Sequence, residues 1–272
     1  MFYNINTKNM KVKIAVTRLI ISSMAMIIFT SCQNLITCRE INKYDMTILL
    51  DISDELLFDE INHDLVSNFQ TFMAQTKFAN IQECQEVKMN LGYLSGKDEL
   101  NLRSVSIGIN QKGLSGREKR NRSNPIPVVN LIKRTLKDYS DMSMDEEYNS
   151  STNIVQTTLK TIVGMETDVE NTLLIFSDMV INNKTENVNF YRFIPTNAGE
   201  SIRKLIDITL LGELQKKLEE GLEVKVIIIL KNEVGKKVKK KNVKDFWNDF
   251  FKILQLDDIQ FIDNCSNHIK WN

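Results

Sequence analysis

Short apolar runs alternate with amphipathic stretches along most of this chain. Segments 45–51 (DMTILLD), 171–178 (NTLLIFSD) and 224–230 (VKVIIIL) are almost continuously apolar and read as strands buried on both faces. Segments 86–94 (EVKMNLGYL) and 102–110 (LRSVSIGIN) alternate and suit strands, with SGKDE as the turn between them. Segment 259–263 (IQFID) is a last short strand, and 188–194 (VNFYRFI) holds a short extra one.

Between the strands the apolar period changes to that of a helix. In 61–78, Leu65, Phe69, Phe72 and Met73 fall on one face, with Phe78 near the end. Helices are also predicted over 128–139, over 152–166 with Thr152 or Asn153 near the cap, and over 243–254. Segment 198–221 reads as one long helix closed by Gly221. The order is β-α-β-β-α-α-β-α-β-α-β. It predicts an α/β fold, a Rossmann-like three-layer α/β/α sandwich. The central sheet is mostly parallel, and the one tight β-β connection makes one antiparallel edge strand. No internal repeat and no second domain is evident, so 45–272 is expected to be a single unit.

Composition changes this picture little. Of 272 residues, 42% are hydrophobic and 26% charged, as in ordinary globular proteins. Lys plus Arg equals Asp plus Glu at 35 each, which gives no reason to expect a nucleic-acid binder. The N-terminus is more informative. A basic stretch, KNMKVKIAVTR, precedes the apolar 19–29 (LIISSMAMIIF) and then TSC, ending at Cys32. This is the layout of a secretory signal. The apolar run is short of the ~20 residues that span a bilayer. FTSC resembles the lipobox of bacterial lipoproteins. On that resemblance 1–31 is a signal peptide, Cys32 is lipidated, 32–44 is a tether, and the protein sits at the cell envelope on a lipid anchor. Cys38, Cys84 and Cys265 would then meet an oxidising compartment, where a Cys38–Cys84 disulfide is one arrangement. No cysteine pair has zinc-ligand spacing, and there are only two histidines, which argues against zinc.

The first and second long strands both end in oxygen-rich residues: TILLDISDE (47–55) and LLIFSDM (173–179). In open α/β sheets, ligands bind beyond the carboxyl ends of the parallel strands. Carboxylate and hydroxyl oxygens suit a hard cation. The same residues also suit helix caps.

With these motifs in this order, the chain from Asp45 to about Asp263 resembles a von Willebrand factor A-like domain. Such domains carry a metal-ion-dependent adhesion site built from three loops. Asp51 and Ser53 match the Asp and first Ser of the first loop. Thr152 resembles the Thr that opens a helix in the second. Asp178 resembles the Asp of the third, in Ser-Asp-Met where the family has Thr-Asp-Gly. Glu55 stands where the second Ser belongs, so the site is a degenerate one. The resemblance implies Mg²⁺, with Mn²⁺ or Ca²⁺ as alternatives, held by Asp51, Ser53, Glu55, Thr152 and Asp178. A Glu55 carboxylate would neutralise part of the charge that an intact site keeps for a partner's carboxylate.

The expected whole is a membrane-anchored lipoprotein whose domain binds an envelope or extracellular protein, and not an enzyme. Two other readings use the same residues: an Mg²⁺-dependent hydrolase or phosphoesterase, and a metal-free scaffold. The hydrolase lacks an evident general base, since His63 falls in the first helix and His268 in the tail. Topology also assigns the charged loops. Lys112, Arg117, Lys119, Arg120 and Arg122 are expected at the membrane-side edge, against anionic headgroups. An acidic loop with Asp138, Asp141, Asp145, Glu146 and Glu147, and the basic GKKVKKK (235–241), are expected beside the presumed metal edge.

Overall fold

A computed structural model of the chain describes residues 42–52, 55–67, 85–94, 102–108, 126–143, 154–183, 188–190, 192–195, 198–231 and 240–263. The signal segment, Cys32, the tether up to 41, the other three cysteines and the basic loop at 112–122 lie outside these residues.

Apolar runs and strands coincide. β1 (Asn42–Asp51), β4 (Glu170–Ser177) and β7 (Val224–Leu230) are buried along nearly their whole lengths. They form the centre of a six-stranded sheet with β2 (Gln85–Leu94), β3 (Arg103–Gly108) and β8 (Ile259–Ile262), in the order β3-β2-β1-β4-β7-β8. All neighbours pair in parallel except β2 and β3, so β3 is the predicted antiparallel edge strand. The extra strand is a two-residue affair: β5 (Asn182–Asn183) pairs with β6 (Val188–Asn189) apart from the main sheet.

Because successive side chains in a strand point to opposite faces, the sheet has two cores. Met46, Ile48, Leu50 and Ile52 of the β1 segment pack on one face with α1 (Glu55–Ser67) and α2 (Ile126–Ser143). On the other face, Leu49, Leu173, Ile175, Val226 and Ile228 meet α3 (Ile154–Val163), α4 (Ala198–Leu205), α5 (Ile208–Glu219) and α6 (Lys240–Ile253). The result is the expected α/β/α sandwich. α6 contributes most bulk to that second core. Phe246, Trp247, Phe250 and Phe251 recur at i, i+1, i+4 and i+5, and all are buried. Each such side chain stabilises by about 1.5–3 kcal/mol through burial.

Three expectations are corrected. The helix predicted from Ile61 begins at Glu55, because Phe58 and Ile61 sit one turn apart and both reach the core at 0% exposure; α1 is described as far as Ser67. The long helix 198–221 is two helices. Asp207 interrupts it with extended backbone (ψ 126°) and its carboxylate accepts the Thr209 N–H at 2.8 Å, the geometry of an N-cap. The end at Gly221 holds: its φ of +92° and the bonds Gly221 N–H to Leu218 O and Leu222 N–H to Lys217 O close α5. Finally, Asp138 and Asp141 are not in a loop but in α2, where the Asp138 carboxylate accepts from the Arg103 guanidinium of β3.

Candidate functional site

Renumbered within the sheet, the strand order is 3-2-1-4-5-6, and it reverses direction between β1 and β4. That pair is the topological switch point, where the crevice of an open α/β sheet lies. From β1 the chain leaves through α1 on one face; from β4 it leaves through α4 and α5 on the other. The connections diverge and leave the carboxyl ends of the two strands side by side.

Asp51 and Asp178 stand at these two ends. The β1–β4 register runs to Leu50 opposite Phe176, so Asp51 comes opposite Ser177. The Ser177 hydroxyl donates to Oδ2 of Asp51 at 2.6 Å, and the two side chains are 0% and 1% exposed. Ser177 Oγ in turn accepts the Met179 N–H at 2.8 Å. One residue on, Oδ1 of Asp178 accepts the Val180 N–H at 2.8 Å, and Asp178 is also buried. Over 177–180 each polar side chain thus engages the backbone N–H two residues ahead.

Met179 is where the sequence departs from the Asp-Gly of the resemblance, yet it has the backbone a glycine would favour. Its φ is +58°, the left-handed region that is unusual for a side-chain-bearing residue. Two contacts over-determine it. The N–H is held by Ser177, and the C=O accepts the indole N–H of Trp247 at 2.8 Å. The Met179 side chain itself is fully buried in the second core.

A second buried polar contact lies beside this turn. Lys231, directly after β7, gives its N–H to Ser177 O at 3.1 Å. Its ammonium donates to Oδ2 of Asp64 on α1 at 2.5 Å, with the two side chains 3% and 9% exposed. No sequence pattern pointed to this pair, because Lys231 reads as an ordinary solvated charge after a strand.

The remaining candidates divide as follows. Glu55 opens α1, one turn after Asp51, but its side chain is outside the described residues. Ser53 and Thr152 are outside them altogether. α3 starts at Ile154 and leads through a short turn into the amino end of β4, so it runs antiparallel to the strands and begins at the carboxyl edge. Among the described residues no three His, Cys, Asp or Glu side chains cluster as a metal site. What is described fits a hard cation in kind: two carboxylates on adjacent strand ends, at a switch point. His63 is exposed on α1. Asp263, after β8, accepts from the Lys240 ammonium, which holds its carboxyl below the usual range. That brings Lys240, at the start of α6, to the carboxyl end of the edge strand β8; residues 235–239 of the basic stretch lie outside the described residues.

A polar ladder crosses the sheet nearer its amino end. Asn90 Nδ2 donates to Asp45 Oδ1 at 2.5 Å and to Thr47 Oγ1 at 3.1 Å, and Ser104 Oγ donates to Asn90 Oδ1 at 2.6 Å. Lys88 lies 3.5 Å from Asp45. Burial raises the Asp45 carboxyl above its ordinary value, with Lys88 opposing. The signal was visible as Asp, Thr and Asn at alternate positions of otherwise apolar strands.

No protein-family model matches the sequence, and neither does any curated protein. Solved structures match loosely. Proximal thread matrix protein 1 from the mussel byssus is 14% identical over 84% of this chain and 45% of that chain, with a TM-score of 0.35. The same protein with a zinc-occupied MIDAS motif gives 13% identity, the same coverage and 0.36. The pilus adhesin SpaC from Lactobacillus rhamnosus GG, in its open conformation, gives 11% over 84% and 29%, with 0.42. The chain spans less than half of each of these proteins. Likeness at this level bears on neither the site nor its ligand.

Proposed function

We propose that this is a protein-binding domain that uses the carboxyl edge of its sheet and holds one divalent cation there. Asp51 and Asp178 are the central ligands, and Ser53, Thr152 and Glu55, outside the described side chains, are the further ligands that the sequence offers. Mg²⁺ is the favoured ion, and Mn²⁺ or Ca²⁺ would suit the same oxygens. The reading rests on one observation: two buried acids flank the switch point on neighbouring strands, Asp51 bonded to Ser177 and Asp178 to the Val180 N–H. Cys32 serves as the lipid anchor in this proposal, which puts the protein at the envelope with an envelope or extracellular protein as partner.

Calorimetry with Mg²⁺ and with Mn²⁺ tests the cation on the full chain beside an Asp178→Ala variant. Heat of binding in the first and none in the second is the expected result. Absence of heat in both removes the cation and leaves a metal-free scaffold. Radiolabelled palmitate incorporation that vanishes in Cys32→Ala tests the anchor separately.

A further inference from the structure

Two acids that share a cation must be held against their own repulsion before the ion arrives. Ser177 touches the first of them and the backbone that follows the second. Its hydroxyl has one proton, which it donates to Oδ2 of Asp51. The oxygen is then left to accept, and it takes the Met179 N–H. The second bond has a fixed polarity, because a backbone N–H can only donate. The first fixes the plane of the Asp51 carboxylate from the neighbouring strand. The second fixes Met179 at φ +58°, and that turn carries Val180 N–H to Oδ1 of Asp178. One fully buried side chain therefore bonds directly to Asp51 and, through Met179, to the backbone beside Asp178.

We propose that Ser177 is the positioning residue of the cation site, acting through Asp51 on one side and through the Met179 turn on Asp178. This inference rests on the cation reading above. Ser177 would order the ligands and not add one. Groups that orient metal ligands in this way typically change affinity by about 10–100-fold when removed.

Mn²⁺ titration of the full chain, followed by the spin-resonance signal of free Mn²⁺, tests it on wild type, Ser177→Ala, Ser177→Cys and Ser177→Thr. Thermal unfolding without metal is measured on each. Ser177→Ala and Ser177→Cys, which lack the strong hydroxyl donor, are expected to bind Mn²⁺ at least tenfold more weakly. Ser177→Thr, which keeps it, is expected to stay within about threefold of wild type. A merely structural role would lower the metal-free melting temperature of the Ala and Cys variants but leave their Mn²⁺ affinity in the folded state unchanged. That outcome overturns the inference while the cation reading stands. A wild type that binds no Mn²⁺ overturns both. Should Ser177→Ala not fold, the near-isosteric Ser177→Cys decides by the same comparison.

Discussion

Lys231 and Asp64 form a buried ion pair that ties the residue after β7 to α1, 2.5 Å apart and 167 residues distant in sequence. Each charge costs several kcal/mol to bury, and the pair repays this only while both members are present. Lys231→Ala or Asp64→Ala alone should therefore lose about 3–5 kcal/mol of stability in urea unfolding, while the double change Lys231→Met with Asp64→Leu should lie much closer to wild type. Single variants within ~1 kcal/mol of wild type would mean the pair is solvated in solution.

The Trp247–Met179 bond holds the turn from the other side. Trp247→Phe keeps most of the ring but leaves the buried Met179 carbonyl unpaired, and should cost about 1–3 kcal/mol. Met179→Gly is the more instructive change. It relieves a left-handed residue, worth about 1–2 kcal/mol, but removes a fully buried side chain, worth about 2–5 kcal/mol. The net expectation is a loss, read by denaturant midpoint. A gain would show that backbone strain outweighs packing here.

Two glycines of the α5 region should respond in opposite directions. A Cβ meets nothing within 4 Å at either Gly212 or Gly221, so only backbone terms remain. Gly212 lies inside the helix, and Gly212→Ala should stabilise by about 0.5–1 kcal/mol. Gly221 has φ +92°, and Gly221→Ala should destabilise by about 1–2 kcal/mol. Thermal unfolding of the two variants side by side checks the signs.

Asp45 makes stability depend on pH. Its folded carboxyl is raised above the ordinary 3.8 because burial disfavours the charge. The folded state therefore holds its proton more tightly than the unfolded state. Stability from this group is greatest below pH 3.8 and declines as pH rises through the raised folded value. Asp45→Asn can still accept from Asn90 and has no charge to bury. The difference in unfolding free energy, Asp45→Asn minus wild type, should increase from acid toward neutral pH. A difference that is flat or decreasing would contradict the burial argument.

Much of this arrangement was legible in the chain itself. β1, β4 and β7 declared themselves because parallel strands covered on both faces must be apolar throughout. The tight β2–β3 connection declared the antiparallel edge. Asp51 and Asp178 were recognisable as acids ending such strands. The break at Asp207 was not, because apolar spacing runs through Leu205, Ile208 and Leu211 without interruption and only the cap geometry separates the helices. Ser177 was passed over beside Asp178, since its meaning depends on a partner 126 residues away that only the β1–β4 pairing supplies. Lys231 and Asp64 were hidden for the same reason. Contacts of this kind are set by register and switch-point topology, which local periodicity does not encode.

The central claim is that Asp51 and Asp178 act on one ion from two strands. Mn²⁺ affinities of the full chain, Asp51→Asn, Asp178→Asn and the double variant form a cycle that tests it directly. A single shared site predicts one Mn²⁺ per chain, strong weakening in each single variant, and a double variant little worse than either. Single variants that bind as wild type does, or losses that simply add, would contradict it.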